Sequence, residues 1–472
     1  MTARRVMPRA GRRLLFALSL VAGGLVAVIA LRAWVHVSSA WDVWYYHLPF
    51  AARLAGIVPK EVATFDSLNE VRYQSFPRLA ELLQGLLWRA LGRPEAASLL
   101  GVGSVVAAAA ALKKIARAPA GALVVAWTAI PTVMIHMSVA YVDLPANLCV
   151  TALALLVHRA FVERRALGPG WIAAAIALGA LAANAKLIMA PIAGVALGAL
   201  AARTLWLSRS RAAHFAGFAV GAPVVLATQL VNAIRFGNPA YPVEVHVFGR
   251  TLPWVETPYT EIPPRFEPYP QPVRFAASLA EIGLRELGDP RRYSVDQWMP
   301  PHMDGNRMGG FGHVYVAAAL VALVALAPRS REGRVAGVIF AALTAVVCVM
   351  PQSHVLRYYL VWMLTLTALV VTLGARELAR RRWVAGVVAT AVLPIAALAY
   401  TARATDLWYL TPDTFRFAEL VADHVDAKRL EGVPDGGRVC VDHQPWSFLY
   451  ASTFHPPRRY TVVLSHDPAD CR

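Results

Sequence analysis

Residues 171–202 read WIAAAIALGALAANAKLIMAPIAGVALGALAA, an apolar run interrupted at Asn184-Ala185-Lys186. A helix needs about 20 residues to cross the hydrocarbon of a bilayer, so this run is too long for one crossing and short for two. Its reading decides the sidedness of everything after it. Lys113, Lys114 and Arg117 precede the run, as do Arg164 and Arg165. Arg203, Arg209 and Arg211 follow it, then Arg329, Arg331 and Arg334, then Arg376, Arg380, Arg381 and Arg382. Short connections rich in Lys and Arg stay in the cytoplasm. With the N-terminus inside, all these clusters fall on that side only if 171–202 crosses twice. A single crossing would move every later cluster outside.

Further apolar runs fall near 14–36, 96–112, 119–140, 144–162, 213–232, 312–327, 335–350, 356–374 and 383–400. With the hairpin they predict an all-α polytopic membrane protein of about 11 spans with its C-terminus outside. Composition agrees. Of 472 residues, 57% are hydrophobic and 16% charged, which excludes an ordinary soluble protein. A net charge of +17 would suit nucleic acid, but the basic residues sit in clusters between apolar runs, where orientation signals belong. No nucleic-acid partner is expected. Arg4, Arg5, Arg9, Arg12 and Arg13 precede the first run, which reads as an uncleaved signal anchor.

Acidic residues point the same way. Asp42, Asp66, Glu70, Glu81, Asp143, Glu244, Glu256, Glu261, Asp289, Asp296 and Asp304 would all face outside. The outer surface then comprises a first loop (37–95), a turn at Asp143, a long loop (233–311) and a tail (401–472). Residues 77–91 and 273–287 read as interfacial helices. The tail is expected to be a small extracytoplasmic α/β domain (401–472) beside a transmembrane domain (1–400). Its alternating Val439, Val441, Tyr460, Val462 and Leu464 suggest a small sheet. Cys149 and Cys348 lie in apolar runs, whereas Cys440 and Cys471 lie in the tail and can pair in an oxidising compartment.

Residues able to do chemistry gather at the outer rim. Asp42 lies in Trp41-Asp42-Val43-Trp44-Tyr45-Tyr46-His47-Leu48-Pro49, directly after the first span. An acid among aromatics and a His is more than an anchor needs. A carboxylate there can act as a base on a substrate held at the headgroups. Asp143, after the third span, meets the membrane on the same side, and it also suits a helix cap with Pro145 in the first turn. Lys186 sits between two apolar halves, where a cation usually faces a cavity or a charge. Arg357, in Leu356-Arg357-Tyr358-Tyr359, offers a fork of donors that can grip a phosphate. Arg235 precedes Gly237-Asn238-Pro239-Ala240-Tyr241-Pro242, a turn-forming segment. No Walker loop, dinucleotide fingerprint or Gly-x-Ser-x-Gly occurs, and no His or carboxylate group has metal-ligand spacing. No cofactor is expected. A divalent ion bound through Glu81 or His246 is the alternative.

Taken in order and on one side, these motifs resemble the GT-C superfamily of integral membrane glycosyltransferases. The likeness is to the bacterial branch related to the protein mannosyltransferases and the lipid A aminoarabinose transferases. It covers roughly residues 1–375 and rests on Asp42 with Tyr45-Tyr46-His47-Leu48-Pro49, Asp143, Asn184-Ala185-Lys186, the Gly237–Pro242 segment and Arg357-Tyr358. It departs from the family where many members carry a second acid after the first, since Val43 follows Asp42. The resemblance implies a GT-C fold in a bacterial cytoplasmic membrane, with the active site facing outside. It implies transfer of a sugar from a polyprenyl-phosphate-linked donor to a glycan, lipid or protein acceptor, with inversion. By the same resemblance Asp42 would be the base, Asp143 would position acceptor or sugar, and Lys186 and Arg357 would hold the leaving phosphate. Tyr45, His47, Arg235 and Tyr241 would contact substrate. The competing reading is a flippase, polymerase or ligase of surface polysaccharide that needs no catalytic acid. A transporter would place polar residues at the bilayer midplane, often in repeats, and this chain does not.

Overall fold

A computed structural model describes residues 7–257, 262, 266–286, 289, 292–293, 310–405, 407, 416–441, 445–456 and 459–464. Every apolar run read from the sequence is helical. The chain passes through α1 (Arg9–Val35), α2 (Leu48–Leu54), α3 (Ser67–Ser75), α4 (Leu79–Leu91), α5 (Leu99–Ile115), α6 (Ala120–Thr128), α7 (Pro131–His136) and α8 (Asp143–Glu163). It continues through α9 (Pro169–Ala185), α10 (Met189–Leu207), α11 (Arg211–Val225), α12 (Ala227–Phe236), α13 (Gln271–Leu279), α14 (His313–Leu326), α15 (Arg331–Val349) and α16 (Leu360–Ala379). Then come α17 (Trp383–Val387), α18 (Leu393–Ala404), α19 (Phe417–His424) and α20 (Ala427–Glu431). Among the described residues seven helical segments are long and apolar enough to cross a membrane. The protein is thus an all-α polytopic membrane protein. α11 with α12 makes an eighth if their bend lies within one span, and α9 and α14 are shorter apolar helices.

The 171–202 run is a helical hairpin. α9 stops at Lys186, whose backbone is extended (φ −152°, ψ 127°), and α10 restarts at Met189. The two arms lie side by side: a Cβ added at Gly179 would come within 2.7 Å of Leu197 Cδ1. The basic clusters consequently share one end of the bundle, where they hold each other's backbones. Arg159 donates to Lys114 O, Arg376 to Ala116 O (3.0 Å) and Arg331 to Phe161 O (2.9 Å), while His214 Nε2 meets Leu167 O (3.1 Å).

Three runs depart from simple rods. Residues 119–140 form two short buried helices rather than one span, broken at Ala129-Ile130-Pro131. Proline disfavours helical geometry in the residue before it and lacks an N–H, and Ile130 is extended. Burial inside the protein lets Thr132 N and Oγ1 recover an acceptor at Gly310 O. α11 and α12 meet at a 60° bend just after Pro223. α17 reaches α18 through a π-helical turn, Val388–Val392, ahead of Pro394. The helix expected over 273–287 ends at Leu279, where the chain turns to Glu281 at φ 55°.

α8 and α16 form the buried centre, with Trp127 Nε1 donating to Leu364 O (3.1 Å). The first loop caps one end. Its helix α4 is inside-out: Glu81 and Gln84 are buried while Leu83, Leu86 and Leu91 are exposed, as suits a helix facing lipid. Gly85 lies so close to Ala51 O on α2 that a Cβ would collide with it.

A small hairpin, β1 (His246–Val247) with β2 (Arg250–Thr251), decorates the long loop. In the tail β3 (Gly437–Val441) and β4 (Tyr460–Leu464) pair in parallel, with Val439 opposite Val462. Ala63 adds a bridge to Val462, so the tail sheet is stitched to the first loop and shares its core. Cys149 and Cys348 are free and Cys440 is disulfide-bonded. Cys471 lies outside the described residues.

Candidate active site

At the end of the bundle opposite the basic clusters, Asp42, Asp143, Lys186 and Arg357 meet as two ion pairs. The chain leaves α1, re-enters helix at Trp41 and widens into a π-helical turn, Val43–His47, before α2. Pro49 accounts for the widening. It has no N–H to bond the carbonyl of Tyr45 four residues back, and Asn69 Nδ2 takes that carbonyl instead (3.3 Å). Trp44 pins the turn by donating to Ser38 O (2.8 Å) and stacking on Phe417. The turn aims Asp42 at Arg357, whose Nη2 donates to Asp42 Oδ2 at 2.7 Å.

Arg357 is 1% exposed. It lies in a 3-10 turn, Leu356–Tyr359, held by Tyr359 donating to Pro351 O. Its guanidinium sits between the rings of Tyr141 (5.1 Å) and Tyr358 (5.0 Å). The second pair joins Lys186 Nζ to Asp143 Oδ1, and Lys186 also covers the other part of the site through the Tyr358 ring, 4.1 Å from its centroid. Tyr358 is therefore shared by both cations. Asn147 fixes the two halves together. Its side chain donates to Asp143 O (2.8 Å) and Tyr358 O (3.3 Å) and accepts from Val361 N (2.8 Å).

Asn184 places Lys186 by another set of bonds. Its Nδ2 reaches Val224 O and Val225 O, and its Oδ1 accepts from Thr228 N and Oγ1. The bend between α11 and α12 exposes the carbonyls that Asn184 needs. Tyr46 faces Asp42 and Arg357, and its phenol is held well above the ordinary tyrosine value, first by burial and then by the Asp42 charge. It keeps its proton at neutral pH.

The remaining expected residues are spread differently. His47 is buried and shares a 3.0 Å contact with Glu81, at Tyr46 and Tyr141 ring distances of 4.2 and 5.4 Å, so it backs the site. Tyr45 leans on Arg72, which is itself bound to Glu256 (2.5 and 3.0 Å). Tyr241 stacks on Phe236 (4.2 Å) and its carbonyl accepts from Asn232, which closes the Gly237–Pro242 turn. Arg235 is exposed on the last turn of α12. Neither joins the two ion pairs. His246 lies on the exposed β-hairpin, 3.4 Å from Glu244. Among the described residues no group of three or more His, Cys, Asp or Glu could hold a metal ion.

Several residues of the site escaped the sequence reading. Tyr46 and Tyr358 stood inside the sequence motifs without a role for either ring, and Tyr141 was not singled out. Asn147 had a signal: with Asp143 it puts two polar side chains four apart on one face of an apolar helix. His136 is fully buried, bonds Thr132 O through Nδ1 (2.7 Å), and leaves Nε2 without a hydrogen bond. Its ring lies 5.1 Å from Tyr141.

The arrangement balances two carboxylates against two cations around one aromatic ring. An anion entering there would compete with the carboxylates for Arg357 and Lys186. Phosphate suits the fork of Arg357.

No family model matches the chain, and neither does any curated protein. Two solved structures are similar to it. The crystal structure of ArnT from Cupriavidus metallidurans bound to undecaprenyl phosphate is 13% identical, with 95% of this chain and 89% of that chain covered at a TM-score of 0.48. The same protein in the apo state is 14% identical, with 95% and 88% covered at 0.49.

Proposed function

We propose that this protein is a glycosyltransferase that moves a sugar from a polyprenyl-phosphate-linked donor to an acceptor at the outer face of a bacterial cytoplasmic membrane, with inversion. The observation that carries this reading is the convergence of Asp42–Arg357 and Asp143–Lys186 on Tyr358 at one end of the bundle. The order of motifs along the chain supports it independently.

In the resting site the carboxylates occupy the cations. Donor phosphate takes Arg357 and Lys186 as its partners and leaves Asp42 without its guanidinium. Loss of that positive neighbour, with gain of a negative one, makes Asp42 more basic. The acceptor hydroxyl then gives its proton to Asp42, and its oxygen attacks the anomeric carbon from the face opposite the phosphate. The bond from that carbon to the phosphate oxygen breaks, and the electron pair stays on the phosphate. Arg357 and Lys186 stabilise the charge as it grows. Asp143, fixed by Asn147, orients acceptor or sugar.

Purified protein in liposomes, given a radiolabelled polyprenyl-phosphate sugar and an envelope extract, should release polyprenyl phosphate and label an acceptor. Lys186→Ala and Arg357→Ala proteins should bind a short-chain polyprenyl phosphate more weakly by about 1.5–3 kcal/mol each. Movement of intact lipid-linked glycan without cleavage would instead indicate a flippase.

A further inference from the structure

The opposite end of the bundle carries a second set of cations that the proposed reaction does not use. α8, α10 and α15 enclose a groove of about 420 Å³ lined by apolar side chains, among them Val150, Ile192, Ala196, Ile339 and Val346. At its basic end the lining changes to Phe161, Arg331 and Arg334. Arg203 lies over the Phe161 ring at 5.0 Å, and Arg331 donates to Phe161 O. Arg164 and Arg203 are both close enough for their charges to reach Arg331.

These cations lack acidic partners. Nearby acids are committed elsewhere: Glu163 to Arg159 and Arg165, and Glu332 to Arg376. Among the described residues Arg164, Arg203, Arg331 and Arg334 form no ion pair, and Arg203 Nε is buried without a hydrogen-bond acceptor. Like charges gathered at the rim of an apolar slot repel one another unless an anion sits among them. The slot itself runs away from the cations along the helices. An occupant must be amphiphilic, with an anionic head at the arginines and an aliphatic chain in the groove.

We propose that this groove is a binding site for an anionic glycerophospholipid of the leaflet that contacts the basic end. Arg203, Arg331 and Arg334 hold its phosphodiester and the α8–α10–α15 groove takes an acyl chain. Basic pockets between membrane helices on the cytoplasmic side recognise anionic headgroups in this way. The groove's apolar lining alone would accept any lipid tail, so selectivity comes from the head. The site is independent of the glycosyl-transfer reading.

Native mass spectrometry of the full-length protein, released from nanodiscs of phosphatidylglycerol or phosphatidylcholine, tests this. Wild type should retain a phosphatidylglycerol adduct and discriminate against phosphatidylcholine. The Arg203→Gln/Arg331→Gln/Arg334→Gln protein should bind phosphatidylglycerol roughly 100-fold more weakly and lose the discrimination. A packing variant, Ala196→Phe, should block the adduct while the arginines remain. Thermal unfolding in detergent checks that each variant is folded, and a single Arg334→Gln at the exposed rim serves if the triple variant is not. Equal retention of both lipids by wild type, or an undiminished adduct in the folded arginine variants, would overturn the proposal. Retention of a polyprenyl phosphate in place of glycerophospholipid would overturn it as well.

Discussion

Lys186→Met should destabilise the protein through the charge it leaves behind. The Asp143 side chain is 2% exposed and Lys186 17%. Removing one partner of a buried pair typically costs 3–5 kcal/mol, because the other charge stays buried and uncompensated. Lys186 keeps some contact with water, which favours the low end, about 3 kcal/mol. The lost cation–π contact with Tyr358, at 4.1 Å, adds about 1 kcal/mol. The charge of Arg357 also reaches Asp143 and offsets part of the loss. A net loss of about 3 kcal/mol lowers Tm by roughly 3 °C in a chain of 472 residues. Adding Asp143→Asn removes the orphaned charge, so the double variant should recover most of that shift. Thermal unfolding followed by tryptophan fluorescence in one detergent reads the cycle. A Lys186→Met protein within 1 °C of wild type, or a double variant no better than the sum of the singles, would refute this account of the pair.

Three further outcomes follow from the fold. Reporter fusions after Arg211 and after Arg403 should read cytoplasmic and outside respectively, and the same side for both would sink the topology. Cys440 and Cys471 should resist thiol labelling in denatured, unreduced protein while Cys149 and Cys348 react, and labelling of all four would refute the pairing. Glu281 accepts bonds from Arg292, Tyr293, Gly312 and His313. Burial works against its charge, but the bonds from Arg292 and His313 outweigh it, so its carboxyl lies below the ordinary glutamate value. Its stabilisation is therefore present above the unfolded value, near 4.3, and is lost as pH falls through the lower folded value. Glu281→Gln should cost about 3–5 kcal/mol at neutral pH and flatten the acid limb of the Tm profile. An unchanged acid limb would contradict the network's role.

The fold was legible where composition forces the outcome. Alternating basic clusters required 171–202 to turn back, and the chain does so between Lys186 and Met189, with Gly179 of one arm packed on Leu197 of the other. Period-two apolar residues at 439–441 and 460–464 are the parallel pair. Departures arose where proline acts through tertiary context. Pro131 breaks a run that hydropathy reads as continuous, and Pro223 precedes a bend whose freed carbonyls are claimed by Asn184. Those partners lie forty residues away, beyond any local pattern. At the site Asp42, Asp143, Lys186 and Arg357 were each visible as ionisable groups at helix ends. Their pairing was not, since it joins residues 315 and 43 positions apart. Arg235 and Tyr241 belonged to a recognisable turn, but the turn's bonds face Asn232 and Phe236 rather than the cations.

The central claim is that Asp42 takes the acceptor proton while Arg357 and Lys186 hold phosphate. Asp42→Asn keeps the size of the side chain and can still accept from Arg357, but it removes the base. Single-turnover transfer from a radiolabelled polyprenyl-phosphate sugar should fall by about 10²–10⁴. Donor affinity, measured on the same preparation, should stay near wild type or tighten. A folded Asp42→Asn protein that transfers sugar at a near-wild-type rate would contradict the account.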